Sequence, residues 1–384
     1  MMRTNKTFNG ERLKKALAYN GLSVAELADT VGCQRQTISM YTNGKSKPMD
    51  EDTVNRLSEK LGFPVKYFYE KDSTIKTGST YFRALLTTNK KYRSEQTQKM
   101  EFVAQIYNFL QEYISFFPLN IPSFTPNMSP DKAAEMLRDA WGLGNRPIEN
   151  LIHEVEQHGI LVTSFSTTTN DVDAFSQMIG LDGHSYFLIG YSNNKTSAAR
   201  IHFDIAHELG HICLHDWSED VESLEKEEFK RRENEANSFA AAFLMPEEPY
   251  RRDAERMQTT IPHYTQLKRK WKVSIAAMLR RSFSLGIISM EQYQIMMRVL
   301  QRRGLRKEEP LDDVILTATP SLLKTAVVML LNEKVFTEKQ FMDELSFAYD
   351  LSLEPEMVEY LLDLPRGLLS PCKIIPLHSL KLKP

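Results

Sequence analysis

The sequence predicts an α+β protein that is mostly helical, with a five-helix N-terminal domain, a central domain containing a small sheet, and a helical C-terminal extension. Two observations lead to this fold class. Apolar residues recur at helical spacing along most of the chain, whereas strand-like runs occur only between residues 159 and 191. The length of 384 residues suits two or three domains. We expect the segments 1–72, 73–128, 129–250 and 251–384.

Composition and charge are those of an ordinary globular protein, with 42% hydrophobic and 26% charged residues. Three scattered cysteines without metal-type spacing indicate a reducing environment, and no apolar run is long enough for a membrane span, so we expect a cytoplasmic protein with no membrane partner. The net charge of −2 hides an excess of five positive charges between Arg3 and Lys47. A basic end on a near-neutral chain favours contact with nucleic acid.

The N-terminal segment has the start and stop signals of a small helical domain. A first helix is expected over Phe8–Tyr19, and a second begins at Ser23, where Ser23 and Glu26 have the spacing of a capping box. The second helix ends near Gly32. Two further helices, Glu51–Leu61 and Pro64–Tyr69, would complete a five-helix domain.

Between these helices lies a polar segment, Gln34 to Tyr41, which reads as a third helix after a short turn. A short helix, a turn containing glycine and a polar helix are typical of a helix-turn-helix, in which glutamine can pair with adenine and arginine with guanine. The predicted DNA contacts from the helix and from the lysine after it are Gln34, Arg35, Gln36, Thr37, Ser39 and Lys45. The alternative is a helical bundle that binds protein instead.

A polar stretch, Ser73–Thr80, is predicted to be a linker, and a long helix should run from about Ser94 to Phe117. The wide apolar stripe of this helix has two explanations, namely packing on the central domain or contact between the subunits of a homodimer.

The central segment combines two short helices with three strands. We expect helices over Ser129–Trp141 and Ile148–His158, and strands over 159–165, 175–181 and 185–191. Asp182-Gly183 has the composition of a hairpin turn. The last strand immediately precedes the motif described next, and an extended peptide could add to its edge through backbone hydrogen bonds.

The central motif is His207-Glu208-x-x-His211. Residues four apart share one face of a helix, so the two imidazoles can bind one metal ion while Glu208 reaches a metal-bound water. This arrangement is typical of zinc-dependent peptide hydrolysis, with Glu208 as the catalytic base. The alternative is a hydrogen-bonded histidine pair in the core.

A catalytic zinc site needs a third protein ligand, and the carboxylates that follow supply two candidates. Glu233 lies 22 residues after His211, on a predicted second helix that ends at Pro246. Asn237 shares its face and could orient a ligand. We predict Glu233 as the ligand, with Glu235 as the competing candidate. His202 and Tyr250 are weaker candidates for stabilising the oxyanion.

The sequence resembles two known families. Residues 8–70 resemble the Xre, or lambda-repressor-like, helix-turn-helix family, with Leu27 and Ile38 as core positions. The run AHELGHICLH followed by ENEANSFAAAFLMP resembles the ImmA/IrrE metallopeptidases, a gluzincin-like group, over about residues 145–250. That resemblance implies His207, His211 and Glu233 as metal ligands and Glu208 as the base, in enzymes that accompany repressors and cleave them.

Two classes of function follow. The first is a DNA-binding transcriptional regulator that carries a zinc-dependent endopeptidase, with one Zn²⁺ per chain (Mn²⁺ or Fe²⁺ as alternatives), operator DNA, and a repressor or toxin–antitoxin partner as substrate. The second is an antitoxin or phage-type repressor whose metal domain senses or scaffolds. An intact Glu208 favours the first, because a scaffold needs only the ligands. Past Pro246 the chain is predicted to be helical, and the apolar run in Val273–Arg281 favours packing over DNA contact.

Overall fold

The computed structural model describes residues 7–44, 50–72, 76–82, 90–125, 127–166, 174–181, 184–194, 197–219, 221–316 and 318–370. They form two compact units. The first unit contains the N-terminal residues to 73, residues 105–110 and the chain from 323 onward, and the second contains residues 74–104 and 111–322. The structure confirms the predicted fold class, a mostly helical chain with one small sheet. Within the described residues, no helix combines the length and apolar character that crossing a membrane requires.

The N-terminal part of the first unit is a helical domain. Its elements are α1 (Gly10–Tyr19), α2 (Val24–Val31), α3 (Arg35–Thr42), α4 (Glu51–Leu61) and a 3-10 helix (Val65–Tyr69). The capping box of Ser23 and Glu26 is present, and Gly32 ends α2 in the left-handed conformation that glycine adopts without strain. Leu27 and Ile38 are completely buried, as predicted for core positions. The fifth predicted helix, Pro64–Tyr69, is a short 3-10 helix in the structure.

The first unit also contains the C-terminal helices of the described chain. They are α14 (Leu322–Asn332), α15 (Glu338–Ala348) and α16 (Pro355–Leu361). The guanidinium of Arg12, which is completely buried, donates to the backbone carbonyls of Lys71 and of Asp350, the latter at 2.7 Å. The buried carboxylate of Glu70 accepts from the backbone N–H of Ser352 at 3.0 Å. Charge-assisted bonds thus join the N-terminal domain to the segment that follows α15.

The second unit contains the sheet. Its strands are β1 (Lys76–Phe82), β2 (Leu161–Phe165), β3 (Ala174–Leu181) and β4 (His184–Ser192), in the order β1-β3-β4-β2. β1 and β4 pair antiparallel with β3, while β2 runs parallel to β4. Leu181 opposite His184 closes a hairpin whose predicted turn, Asp182-Gly183, lies outside the described residues.

Two sequence-based expectations about this sheet are wrong. The stretch predicted as a linker, Ser73–Thr80, contributes from Lys76 onward to strand β1, because its backbone pairs with β3. The predicted open edge on β4 is closed over Leu188–Ser192, where β2 pairs with β4 on the side opposite β3. β4 is an inner strand there, and the edges of the sheet are β1 and β2.

The helices of the second unit include one, α8, that is buried over most of its length. They are α6 (Pro130–Ala140), α7 (Leu151–Gln157), α8 (Ala198–Leu214), α9 (Lys226–Leu244), α10 (Glu247–Ala254), α11 (Ile261–Trp271), α12 (Ile275–Ser284) and α13 (Met290–Arg302), with a 3-10 turn at Val221–Ser223. The long helix α5 (Lys90–Gln111) ends six residues before the predicted Phe117, and its residues are divided between the two units. Ile275, Met278 and Leu279 of α12 are completely buried, which agrees with packing.

A buried ionic network fixes the start of α8. The ammonium of Lys268 donates to Glu309 at 2.9 Å and to Asp312 at 2.6 Å. The hydroxyl of Ser197, the residue before α8, donates to the same Asp312 oxygen at 2.6 Å. Glu309 also accepts from the first backbone N–H groups of α12. Because each charge has several partners, the network holds the beginnings of both helices in place.

Candidate metal centre

Helices α8 and α9 lie close together because a glycine faces a small residue. A Cβ built on Gly210 would lie 2.9 Å from the Cα of Ala236 on α9, closer than carbon atoms normally approach. Any larger side chain at position 210 would therefore separate the helices. Glycine inside a helix costs about 1 kcal/mol relative to alanine, so its place between the two histidines serves this contact.

Three side chains converge between the helices. The Nε2 atoms of His207 and His211 are 3.0 Å apart, and they lie 3.4 and 3.2 Å from the two carboxylate oxygens of Glu233. Both histidines are completely buried. Within the described part of the chain, this is the group of histidine, cysteine and carboxylate side chains whose geometry could hold a metal ion.

The hydrogen bonds behind His207 show which of its ring nitrogens faces the cluster as an acceptor. Asn237 donates its amide N–H to the backbone carbonyl of Glu233 at 2.7 Å, which turns its Oδ1 toward His207 Nδ1 at 3.2 Å. An amide oxygen only accepts, so Nδ1 of His207 carries the ring proton and Nε2 presents a lone pair. Asn237 thus occupies the orienting position expected from the sequence.

A carboxylate beside such lone pairs is the donor set that a divalent cation takes. Burial by itself raises the pKa of Glu233, but the neighbouring His207 and His211 outweigh burial and lower the pKa to about 2. The residues present fit a metal ion, because a cation between them would satisfy the facing nitrogens and the partly buried carboxylate together.

Glu208 lies beside the ligands on α8 and is completely buried. One of its oxygens, Oε2, accepts a hydrogen bond of 2.5 Å from the hydroxyl of Ser176 on β3. The backbone of β3 therefore fixes the direction of this carboxylate. Nothing in the sequence pattern indicates Ser176, because the contact depends on the pairing of β3 within the sheet.

Glu235, the competing candidate for the third ligand, contacts His215 rather than the three converging side chains. Its Oε2 is 3.3 Å from Nε2 of His215, whose Nδ1 is 2.9 Å from Nδ1 of His211. Burial, followed by the charges of His211 and nearby arginines, lowers the pKa of His215 to about 2, so this ring is neutral. His215 closes the run AHELGHICLH, and its spacing of four from His211 is the signal in the sequence that places both on one helix face.

The two candidates for oxyanion stabilisation do not face the cluster. The hydroxyl of Tyr250 is buried against α12, where it donates to the carbonyl of Met278 at 2.8 Å. His202 precedes His207 by five residues, which turns it about 140° away around an α-helix. Its burial, with a contribution from Lys272, lowers its pKa to about 4. The expectation for Tyr250 is wrong, because its hydroxyl serves core packing.

The predicted DNA-reading residues lie on α3 and at its start. Gln34, Arg35 and Gln36 are exposed, while Thr37 and Ser39 are half-buried. Gln34 precedes the first turn of α3, so the amide and guanidinium groups stand at the N-terminal end of the helix, where recognition helices contact base edges. Lys45 lies outside the described residues.

The fold and the cluster define a chain with two functional parts, a helix-turn-helix domain and a domain with the ligand geometry of a metallopeptidase. Comparison with family models agrees. Residues 10–73 match the model described as helix-turn-helix domain, and residues 155–283 match a peptidase family described as IrrE N-terminal-like domain. A search of the curated proteins gives no match. The chain is thus a helix-turn-helix domain fused to an ImmA/IrrE-type domain, as the sequence predicted.

Proposed function

We propose that this protein is a DNA-binding transcriptional regulator that carries a metal-dependent endopeptidase. The observation that carries the proposal is the convergence of His207, His211 and Glu233 beside the buried carboxylate of Glu208. A helix-turn-helix domain in the same chain supports action at DNA, and hence in the cytoplasm. One zinc ion per chain is proposed as the cofactor, with manganese and iron as the alternatives.

His207, His211 and Glu233 would hold the ion, and Glu208 would act as the catalytic base. When bound, the metal polarises the peptide carbonyl and lowers the pKa of a water molecule. Glu208 accepts a proton from the attacking water and delivers it to the leaving amine. Ser176 donates a hydrogen bond of 2.5 Å to Oε2 of Glu208, which limits the rotation of the carboxylate that would transfer the proton.

A protein substrate is proposed to bind in extended form, because backbone pairing positions the scissile carbonyl with little demand on sequence. The strand that contacts Glu208 is β3, and β1 already pairs with β3 on the side opposite β4. A substrate segment would therefore compete with β1 for that side. Repressors and toxin–antitoxin partners encoded nearby are the proposed substrates, since a shared promoter raises their effective concentration.

The test uses the intact, zinc-loaded chain and a protein extract from the cells that express it, with new N-termini mapped by mass spectrometry. The proposal expects discrete cleavage products that disappear with a chelator and with Glu208→Gln, a variant that keeps the side-chain shape. Asn194→Gln, an exposed surface change, serves as the matched control and should cleave like the parent. Products that persist in Glu208→Gln would contradict the assignment of the base.

The second candidate is a repressor or antitoxin whose metal domain acts as a sensor or scaffold. The burial of all three polar groups on α8 favours neither role by itself, because a structural site is buried as well. The position of Glu208, held by Ser176 beside the ligands, favours hydrolysis, since a sensor or scaffold has no use for a second, oriented carboxylate that is not a ligand.

A further inference from the structure

The geometry points to His215 and Glu235 as positioning residues that fix the ring of His211, through a hydrogen-bonded relay from this ligand to Arg231 at the surface. This inference rests on the proposed metal centre, and it assigns roles to two residues outside the ligand set.

The relay has three contacts. Nδ1 of His211 is 2.9 Å from Nδ1 of His215, and Nε2 of His215 is 3.3 Å from Oε2 of Glu235. The other oxygen of Glu235 accepts from the guanidinium of Arg231 at 2.6 Å. The His215 side chain is 3% exposed, that of Glu235 30% and that of Arg231 55%. The relay therefore runs from the buried cluster to solvent.

The direction of each hydrogen bond between His211 and Glu235 follows from the carboxylate of Glu235. An ionised carboxylate only accepts, so Nε2 of His215 must carry the proton in its contact with Glu235. A neutral imidazole has one N–H, which leaves Nδ1 of His215 as an acceptor. Nδ1 of His211 must then donate to it, and Nε2 of His211 presents a lone pair toward His207 and Glu233.

The two histidine ligands are oriented by different hydrogen-bond partners. His207 donates to the amide oxygen of Asn237, which has no charge. His211 donates into a chain that ends in a carboxylate, and such a partner makes the ligating nitrogen a stronger electron donor. The sequence spacing allows this because His215 follows His211 by one helical turn, while Glu235 lies across the helix pair on α9.

Loss of the relay should weaken metal binding without removing a ligand. Partners of this kind typically contribute about 10–100-fold to metal affinity. His215→Leu removes the acceptor and leaves the Nδ1–H of His211 buried without a partner. His215→Asn places an amide oxygen close to where the ring Nδ1 lay, and so it can accept from His211. Glu235→Gln changes the charge at the outer end but keeps its size.

The experiment measures zinc affinity of the intact chain by competition with a chromophoric chelator, and records the visible spectrum after cobalt substitution. We expect His215→Leu and Glu235→Gln to bind one zinc with affinity about 10–100-fold lower. His215→Asn should bind zinc more tightly than His215→Leu, because it returns an acceptor for His211, but no more tightly than Glu235→Gln, because it lacks the contact with Glu235. The matched control is Asn234→Gln, an exposed neighbour on α9, which should equal the parent.

The outcomes separate the relay from the metal centre. Parental affinity and an unchanged cobalt spectrum in both His215→Leu and Glu235→Gln would overturn the relay while leaving the metal centre intact. Equal losses in His215→Leu and His215→Asn would also overturn it, because only volume would then matter. If His215→Leu does not fold, the partly exposed Glu235→Gln still decides. A parent that binds no zinc would overturn the proposed metal centre itself.

Discussion

At the scale of single residues, the cluster depends on side chains that have no alternative position. His207 and His211 are completely buried, and Glu233 faces both of them from α9. Their burial means that substitution cannot be compensated by solvent, so each ligand should be indispensable for tight binding. Glu235, two residues further on, contacts His215 instead, so its substitution should not remove the metal.

We therefore expect Glu233→Ala to lose the metal, while Glu235→Ala keeps one equivalent per chain at saturating zinc. Metal content after gel filtration, measured by inductively coupled plasma mass spectrometry, checks this. Melting curves of the metal-free variants control for unfolding. Retention of full metal by Glu233→Ala together with its loss in Glu235→Ala would show that the ligand assignment is wrong.

The exposed residues of α3 lead to a second prediction. Gln36 is exposed near the start of the helix, where an amide can pair with adenine. Gln36→Ala in the intact chain should weaken binding to a site selected from random duplex DNA by about 1–3 kcal/mol and leave non-specific binding unchanged. Lys45→Ala should weaken both alike and reduce the salt dependence.

Fluorescence anisotropy at several salt concentrations measures these affinities, with Asn55→Ala, exposed on α4, as the matched control. The outcome that would count against this role for α3 is an equal loss for selected and unselected DNA in Gln36→Ala. Failure of the parent to select any sequence would contradict DNA reading altogether.

At the scale of secondary structure, local signals in the sequence were sufficient for most elements. Ser23 with Glu26 marks the start of α2, and the apolar runs mark β2, β3 and β4. β1 was missed because KTGSTYF begins with the short polar residues of a linker, and only its pairing with β3 makes it a strand. Pairing between distant segments is not encoded in a local pattern.

The same limit applies to the candidate site. The spacing of His207 and His211 predicts a shared helix face, and their burial with Glu233 agrees with it. The contact of Ser176 with Glu208 requires the sheet to be assembled first. Gly210 carried a usable signal, because a glycine inside a buried helix indicates that another backbone approaches closely.

The pairing of β1 with β3 leads to a third prediction. Thr80 lies opposite Gln177, whose amide donates to the Thr80 hydroxyl at 2.9 Å. A disulfide between Thr80→Cys and Gln177→Cys would hold β1 on β3. If a substrate must displace β1, the oxidised double variant should lose cleavage and regain it on reduction, as followed by the mass-spectrometric assay. Each single cysteine variant is its control, and equal cleavage in both redox states would contradict the competition.

At the scale of the whole molecule, one compact unit is built from segments that are distant in the sequence. The described residues from 323 to 370 form one compact unit with the described N-terminal residues. The sequence predicted a single extension over 251–384, because helical periodicity does not show which helices pack together. The domain boundaries predicted at residues 72, 128 and 250 remain predictions.

This arrangement predicts that a change near the C-terminus destabilises the DNA-binding domain. Ser352 donates its backbone N–H and its hydroxyl to the buried Glu70. Ser352→Ala leaves one oxygen of a buried carboxylate without its donor, which should cost about 1–3 kcal/mol of unfolding free energy. Urea unfolding of the intact chain measures it, with Ser370→Ala, whose hydroxyl bond is exposed, as the control. Identical unfolding midpoints would contradict the role of this contact.

We propose that peptide hydrolysis by the metal domain controls what the DNA-binding domain regulates. Glu208→Gln tests it most directly, in cells that carry a reporter under the promoter selected by the intact protein. Metal content and DNA affinity of the purified variant are measured beside it and should equal those of the parent. We expect the reporter to respond in cells with the parent and to stay unresponsive in cells with Glu208→Gln. A full response with Glu208→Gln would show that hydrolysis is dispensable and that the metal domain acts as a sensor or scaffold.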